Sequence, residues 1–313
     1  MTTPLIPQEI YLLERYSSVA YYEELRDHFA AMFKAVEDGL EEFMRRLPPD
    51  YRNRPLNEQP DAVWGERIIP NLQATLEGLN NGVIRMTRGD WDSMGLAGNV
   101  KSDFAAINRD YSWDWMPKRF FDMAHFSNIE AWECASNIFI SQQGGWEMDS
   151  LTARYKDENR GPLNAPSTWP LYRLNHTVRV KTDEKVPQNG IYLPDANASS
   201  AQVMIEGYKA NEAIITLLNK PRYQNGEYKD ALKPTTWTLV ERIADAGGGT
   251  PGDPDPIKAG VRLRARAGEV CPRTGHWFTP ARTNSRSRFE AGQTMPDVGG
   301  TWGTTIWQWD EQQ

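Results

Sequence analysis

The sequence is poor in cysteine and has no long apolar run. Only Cys134 and Cys271 occur in 313 residues, too few and too far apart for the disulfide framework that staples small secreted proteins. No stretch of 18 apolar residues is present, so no membrane-spanning helix is predicted. The N-terminus lacks the basic region, apolar core and cleavage site of a secretory signal. Together these absences favour a protein of the reducing cytoplasm.

Motifs for metals, phosphates and nucleophiles are also missing. Cys271 and His276 are five residues apart, without the second ligand pair that a zinc motif needs. Gly247–Gly249 is not followed by the Lys-Ser/Thr of a phosphate-binding loop. A Cys/His nucleophilic pair has no local signature here. We therefore predict no cofactor and no metal, and we interpret Cys271 as a structural residue in a turn.

Charge is distributed unevenly along the chain. Residues 1–150 carry 24 acidic and 14 basic side chains, a net charge of −10, and the remainder carries a net charge of +3. An acidic surface repels nucleic acid and membranes and attracts a basic protein, although a solvated helical surface has the same composition. The acids chosen as candidate partner-binding residues follow one another on a predicted helix: Glu37, Asp38, Glu41 and Glu42.

Residues 1–150 have the period of helices. The clearest apolar stripe runs at three- and four-residue steps from Tyr22 to Leu47, and Pro48 and Pro49 end it. Further helices are predicted over residues 61–86, with Pro70 as a kink or a second start, over 102–111 and over 116–140. Helices of this length joined by loops indicate an antiparallel bundle.

After residue 150 the pattern changes toward short strands. Alternating or apolar runs predict strands over 178–181, 191–193 and 202–205, a helix over Ala210–Leu218, and a strand or helix end over 237–242. The stretch 246–256, AGGGTPGDPDP, has the composition of a linker. We predict an α+β protein with a helical region, 1–150, and a β-rich region, 151–313.

The β-rich region contains an internal repeat, 178–207 and 261–292. The basic strands Val178–Lys181 and Val261–Arg264 correspond and, after a two-residue difference in the turn, a constant offset of 85 aligns Pro, Gly, aromatic and Gly positions. In each copy P-x-x-G is expected to close a tight turn, because proline fixes φ and glycine tolerates positive φ. Each copy then forms about three short strands.

Carboxylates near tryptophans offer an enzymatic alternative. Asp90, Asp92, Asp110 and Asp114 lie in a Trp-rich stretch, 90–115, and paired carboxylates beside tryptophans occur in glycosidases. Capping and loop hydrogen bonding by aspartate is the simpler interpretation. The alternative function is therefore a cytoplasmic hydrolase that uses these carboxylates.

The end of the chain resembles a known family. CPRTGHWF (271–278), RFEAGQTMP (288–296) and TIWQW (305–309) are similar to bacterial immunity proteins of polymorphic toxin systems, most of all the immunity protein 71 and immunity protein 72 groups. The match is best over about the last fifty residues and weaker across the repeat and the helical half. The first copy departs from the pattern, with Val186 for cysteine and Tyr192 for tryptophan.

The resemblance implies an antitoxin that acts by binding. Such a protein neutralises a toxin delivered between bacteria, often by type VI secretion, and a basic, nuclease-like toxin would be steered to an acidic surface. A homodimer is compatible with this function. The motif residues are then interpreted as scaffold: Cys271, Pro272, Gly275, Trp277, Phe289, Gly292, Met295, Pro296 and Trp307.

Overall fold

The computed structural model describes residues 3–217, 223–224, 227–228, 230–251, 264–279, 282, 285–298 and 305–310. Contacts divide the chain into two compact units, Met1–Pro251 and Gly252–Gln313. The division falls inside the predicted linker, of which 252–256 lies outside the described residues. Within the first unit the helical region and the first β-sheet share one apolar core. The predicted α+β class is confirmed.

The first unit begins with helices. They are α1 (Pro7–Tyr16), α2 (Val19–Met44), α3 (Ile69–Thr87), α4 (Ala97–Asp110), α5 (Lys118–Gln143) and α6 (Asp157–Arg160). Short 3₁₀ turns occupy Tyr51–Asn53, Leu56–Glu58 and Trp91–Leu96, and a π-helix occupies Asp61–Ile68. The stripe from Tyr22 forms α2 as predicted, and the helix predicted over 102–111 begins earlier, at Ala97.

The two longest helices, α2 and α5, pack side by side and antiparallel. The hydroxyl of Ser18 caps α2 by accepting the amide hydrogen of Tyr21 at 3.1 Å. Asn137 of α5 donates to the Tyr21 hydroxyl at one end of the pair, and Arg119 binds Glu42 at the other. The facing side chains of α2, among them Leu25, are fully buried.

The predicted helix over 61–86 has two parts that differ in geometry. The π-helix ends where the amide of Ile69 donates to the carbonyl of Trp64, and α3 follows with Pro70 in its first turn. Pro70 has no amide for the carbonyl of Glu66, and its ring needs room in the preceding turn, which the wider π-turns supply. Pro70 therefore marks a start, one of the two alternatives that the sequence left open.

Twelve strands follow the helices in the described part of the chain. They are β1 (Leu171–Lys181), β2 (Gly190–Pro194), β3 (Gln202–Met204), β4 (Ala213–Thr216), β5 (Tyr223–Gln224), β6 (Glu227–Tyr228), β7 (Asp230–Lys233), β8 (Thr236–Ala244), β9 (Arg264–Arg266), β10 (Gly275–Phe278), β11 (Ser287–Phe289) and β12 (Ile306–Trp309). The first unit holds the antiparallel sheet β1-β8-β2-β3 and the hairpins β4–β7 and β5–β6, and the second holds β9-β12-β10-β11.

The two four-stranded sheets have the same strand order and the same register. Val180 pairs with Trp237 in the first sheet, and Ala265 pairs with Trp307 in the second. The cores filled by equivalent side chains correspond position by position: Val180, Val186, Tyr192, Met204, Ala210 and Trp237 in the first, and Ala265, Cys271, Trp277, Phe289, Met295 and Trp307 in the second.

Hydrogen bonds in the turns also repeat between the two sheets. Glu184 accepts the amide hydrogen of Lys181 at 2.9 Å, and Glu269 accepts that of Arg266 at 2.7 Å. These pairs are 85 residues apart, so the turn after the first strand has the same length in both copies. The predicted two-residue difference is therefore wrong, and Arg266, not Arg264, is the equivalent of Lys181. Residues 261–263 of the predicted strand lie outside the described residues.

Two further predictions about the β-region need correction. Ala213–Thr216 is a strand paired with β7, because its β-branched side chains favour an extended chain over the predicted helix; Leu218 lies outside the described residues.

The glycine of the first P-x-x-G turn, Gly190, has no positive φ. A Cβ at Gly190 would lie 2.6 Å from Cδ1 of Leu239, so the glycine is needed for space. Gly207 and Gly292 do have positive φ, 82° and 88°.

Membrane insertion by a helix is not indicated. Among the described helices, α2 and α5 included, none combines the length and the apolar character that crossing a bilayer requires.

Two glycines of α3 provide a test of the packing. A Cβ at Gly82 would lie 2.3 Å from the hydroxyl oxygen of Tyr22, a buried side chain that donates to the carbonyl of Ser93, whereas a Cβ at Gly78 meets nothing within 4 Å. We expect Gly82→Ala to lower the free energy of unfolding by about 1–3 kcal/mol through overpacking. Gly78→Ala, the matched control, should raise it by about 0.5–1 kcal/mol through helix propensity.

Urea denaturation followed by helical circular dichroism measures both changes. Equal effects of the two substitutions would contradict the described contact between α2 and α3.

Candidate binding groove

An open groove of about 1060 Å³ lies at one end of the helical bundle. Its walls come from segments 54–67 and 110–115 and from Phe43 near the end of α2. The volume is at the upper end of the range of small-molecule sites. Leu56 stands at the groove with 70% of its surface exposed. The size of the concavity and its aromatic lining, more than this one leucine, make the groove a candidate binding surface.

Aromatic rings form the base of the groove. Trp64, fully buried on the π-helix, has ring centroids of Trp113, Trp115 and Tyr111 at 4.7, 5.4 and 6.4 Å. The ring of Phe43 contacts that of Trp115 at 5.9 Å. The indole N–H groups of Trp113 and Trp115 are buried without a hydrogen-bond partner in the described residues. Four aromatic side chains therefore line the groove: Phe43, Trp64, Tyr111 and Trp115.

A partly buried polar network is formed at the start of the π-helix by Tyr51, Arg52 and Asp61. The hydroxyl of Tyr51 donates to Oδ1 of Asp61, and Arg52 lies 2.7 Å from Oδ2 of the same carboxylate. Burial raises the pKa of Asp61, but the bond from Tyr51 and the guanidinium of Arg52 outweigh burial, so the pKa lies below its usual value. Asp61 is therefore ionised at neutral pH and holds the wall in place.

The rim of the groove carries both signs of charge. Arg54 binds Asp50 with two hydrogen bonds of 3.1 and 3.2 Å, and exposed Glu58, Glu66 and Arg67 line the opening. With Asp110 and Asp114 the lining has four acids and two bases, so it suits a partner that brings basic and polar groups better than an anionic ligand.

The four carboxylates of the predicted hydrolase site separate into two groups. Asp110 and Asp114 line the groove. Asp90 and Asp92 lie outside its lining and are paired with Arg85 at 2.8 and 3.8 Å. The structure therefore does not bring the four carboxylates into one site.

The chemistry of the two groove carboxylates does not favour acid catalysis. Arg109 binds Asp110 through two 2.7 Å hydrogen bonds, which hold the pKa of that carboxyl below its usual value. Asp114 accepts a hydrogen bond from the hydroxyl of Ser112 at 2.8 Å. A general acid needs a raised pKa, and Asp110 has the opposite shift.

The predicted partner-binding acids on α2 are largely compensated by nearby bases. Lys34 lies 3.0 Å from Asp38, Arg45 lies 2.5 Å from Glu41, and Arg119 binds Glu42. Glu37 is the member of the set for which the described residues contain no ion pair. Three of the four acids are thus paired locally, and their role in binding a basic partner stays a prediction.

The family-motif residues lie in the second unit and have mainly buried side chains. Cys271, Trp277 and Trp307 are between 0 and 2% exposed, and Phe289 and Met295 join them in one cluster. Gly275 begins β10, whereas Pro272, Gly292 and Pro296 lie at exposed turns. This burial agrees with their interpretation as scaffold.

The sequence patterns do not predict the groove, because the segments that form it are distant in the chain. Part of segment 54–67 falls within the predicted helix over 61–86, and the sequence pattern relates the tryptophans of 110–115 only to the neighbouring carboxylates. The available signal was the alternation Tyr111, Trp113, Trp115, which places three rings on a short extended segment after a helix.

The hydrogen bond from Tyr51 to Asp61 predicts how the free energy of unfolding depends on pH. Tyr51→Phe removes a hydrogen bond to a carboxylate and should lower the free energy of unfolding by about 1–2 kcal/mol at pH 7. The pKa of Asp61 is lower in the folded chain than its unfolded value of 3.8. The stability that the ionised carboxylate contributes is therefore fully present above pH 3.8, and it is lost as the pH falls through the folded pKa. The difference between variant and wild type should therefore shrink below pH 3.8.

Tyr111→Phe is the matched control, since its hydroxyl makes no hydrogen bond within the described part of the chain. Chemical denaturation at pH 7 and at pH 3 measures both variants. A Tyr51→Phe effect that persists at acid pH would contradict the role assigned to Asp61.

Comparison of the chain with protein-family models, with curated proteins and with solved structures finds no significant match.

Proposed function

We propose that this chain is a cytoplasmic immunity protein that binds and neutralises an interbacterial toxin, of the kind delivered by type VI secretion. The observation that carries the proposal is the motif resemblance at Cys271–Phe278, Arg288–Pro296 and Thr305–Trp309. The burial of the motif's side chains supports a scaffold role for the second unit, because residues that fill a core are not available to a partner.

The groove is the contact surface that we assign to the toxin. A protein partner can place an extended or helical segment in a concavity of this size, with an apolar anchor on the aromatic base and polar groups at the rim. Leu56 is exposed at the groove and would be desolvated by such a segment. The compensated acids of α2 contribute to steering and much less to affinity.

A hydrolase is the second candidate. It is favoured by one observation, that Asp110 and Asp114 line a groove with a tryptophan base. The lowered pKa of Asp110 and its two bonds to Arg109 count against a general acid there. Asp110→Asn and Asp114→Asn separate the two functions: a hydrolase loses its turnover, whereas a toxin-binding groove retains its protective effect.

Co-expression tests the proposal and the groove together. The adjacent reading frame is expressed in bacteria with and without this chain, growth is measured, and the chain is purified by a tag to recover its partner. We expect toxicity, rescue by the wild-type chain and stoichiometric co-purification. Leu56→Asp should then weaken binding at least about tenfold, because a charge replaces a desolvated apolar anchor.

The matched control is Ile84→Asp on α3, which replaces another exposed aliphatic residue, 50% exposed, outside the groove lining. Equal binding by both variants would reject the groove while leaving the antitoxin function open. Absence of toxicity from the neighbouring frames, together with absence of a co-purifying protein, would reject the antitoxin function itself.

A further inference from the structure

Three potential metal ligands from two helices meet between α2 and α5. Glu24 and His28 are four residues apart on α2, and Cys134 faces them from α5. Residues at i and i+4 lie on the same side of a helix, so the first two side chains point to one place. One ligand atom from each of the three residues lies within 4.8 Å of the others.

This spacing is close to that of a bound metal ion. Zinc binds sulfur at about 2.3 Å and nitrogen or oxygen at about 2.0–2.2 Å, which puts tetrahedral ligand atoms about 3.5 Å apart. Cys134 is buried and fixed, His28 is half-buried, and Glu24 is exposed. The remaining contraction is therefore within reach of side-chain rotation of Glu24 and His28, without movement of the helices.

Neighbouring groups orient the ligands as in known metal sites. Nδ1 of His28 lies 2.9 Å from Oε2 of Glu130, the carboxylate–histidine arrangement that fixes a ligating imidazole. Cys134 is buried on α5 one turn before Asn137, which donates to the hydroxyl of Tyr21 on α2 at 2.9 Å. His28 is thus oriented by a carboxylate, and the position of Cys134 is set by its burial between the helices.

The local charges favour a cation. Glu24, Glu130 and Glu133 surround the cluster, and Arg15, 3.8 Å from Glu24, is the nearby base. Arg15 also donates to the carbonyls of Pro162 and Leu163, so it is anchored on the far side and need not leave when Glu24 turns. The acids exceed the bases around the cluster, which lowers the free energy of a divalent cation there.

The geometry points to a zinc site formed by Glu24, His28 and Cys134, with Glu130 as the group that orients His28. One thiolate, one imidazole and one carboxylate form a ligand set that zinc accepts, and softer thiolate ligation disfavours Mg²⁺ and Ca²⁺. On binding, the Cys134 sulfur forms the bond to zinc and its proton passes to solvent. Three protein ligands leave the fourth position open to water.

A metal at this place would join α2 to α5. Because it binds the folded chain and not the unfolded one, it should stabilise the first unit in proportion to the free zinc concentration. This site is independent of the groove and of the toxin-binding proposal, since none of its ligands lines the groove.

The test uses the full chain after removal of any histidine tag and of bound metals. Isothermal titration with zinc sulfate should show one zinc ion per chain, and added zinc should raise the melting temperature. Cobalt chloride should produce the near-ultraviolet charge-transfer band of a cobalt–thiolate bond. His28→Gln and Cys134→Ser should each weaken zinc binding at least about tenfold, and Glu130→Gln about tenfold.

Matched controls use the same residue types elsewhere in the chain. His125→Gln, at an exposed position of α5, and Cys271→Ser, in the second unit, should leave the affinity for zinc unchanged. Glu24→Gln changes an exposed ligand and should leave folding intact. A loss of zinc affinity in this variant therefore reports the loss of a ligand and not misfolding. Zinc binding that is absent in wild type, or that survives in His28→Gln and Cys134→Ser, would overturn the proposal.

Discussion

The apolar stripe of α2 is the surface on which the helical part of the structure depends. Tyr22, Leu25, Phe29 and Met32 are fully buried in it, and burial of side chains of this size contributes about 1.5–3 kcal/mol each. Gly39 lets Met116 approach, since a Cβ there would lie 3.1 Å from its Cγ. Because α2 supports α5, α3 and the π-helix at once, it also positions the groove at one end and the Glu24–His28–Cys134 cluster nearer the other.

The duplicated sheets show how one strand pattern serves two environments. In the first sheet the paired residues Ile191 and Val203 are buried in the core that the helices share, and Tyr192, next to Ile191 on β2, fills the core on the opposite face. At the equivalent positions the second sheet has His276 and Arg288. The described residues of the second unit include no helix, so His276 and Arg288 join no helical core of that unit among them, unlike Ile191 and Val203 in the first.

Local patterns in the sequence predicted the local structure well. The periodic stripe from Tyr22 predicted α2, and the constant offset of 85 predicted the equivalence of Tyr192 and Trp277, because both signals depend on neighbours in the chain. The π-helix was not predicted, since periodicity alone does not show how a proline deforms the turn before it. The short helix expected at Ala210–Leu218 failed because pairing with β7 outweighed a weak local preference.

Sites formed by distant segments were beyond what these patterns contain. Glu24 and Cys134 are far apart in the chain, and only the antiparallel packing of α2 on α5 brings them together. The groove likewise needs Trp64 and the rings of 110–115 to meet. Charge patterning likewise shows the acids Glu37, Asp38, Glu41 and Glu42 on one helix, but it does not show that Arg119, distant in the chain, lies against Glu42.

Hydrogen–deuterium exchange tests the central claim, that the groove is the surface which holds the partner. The chain is compared alone and in complex with the toxin recovered from co-expression. We predict that slowed exchange concentrates in segments 54–67 and 110–115, which form the groove walls. Slowed exchange confined to other surfaces, with these two segments unchanged, would contradict the account.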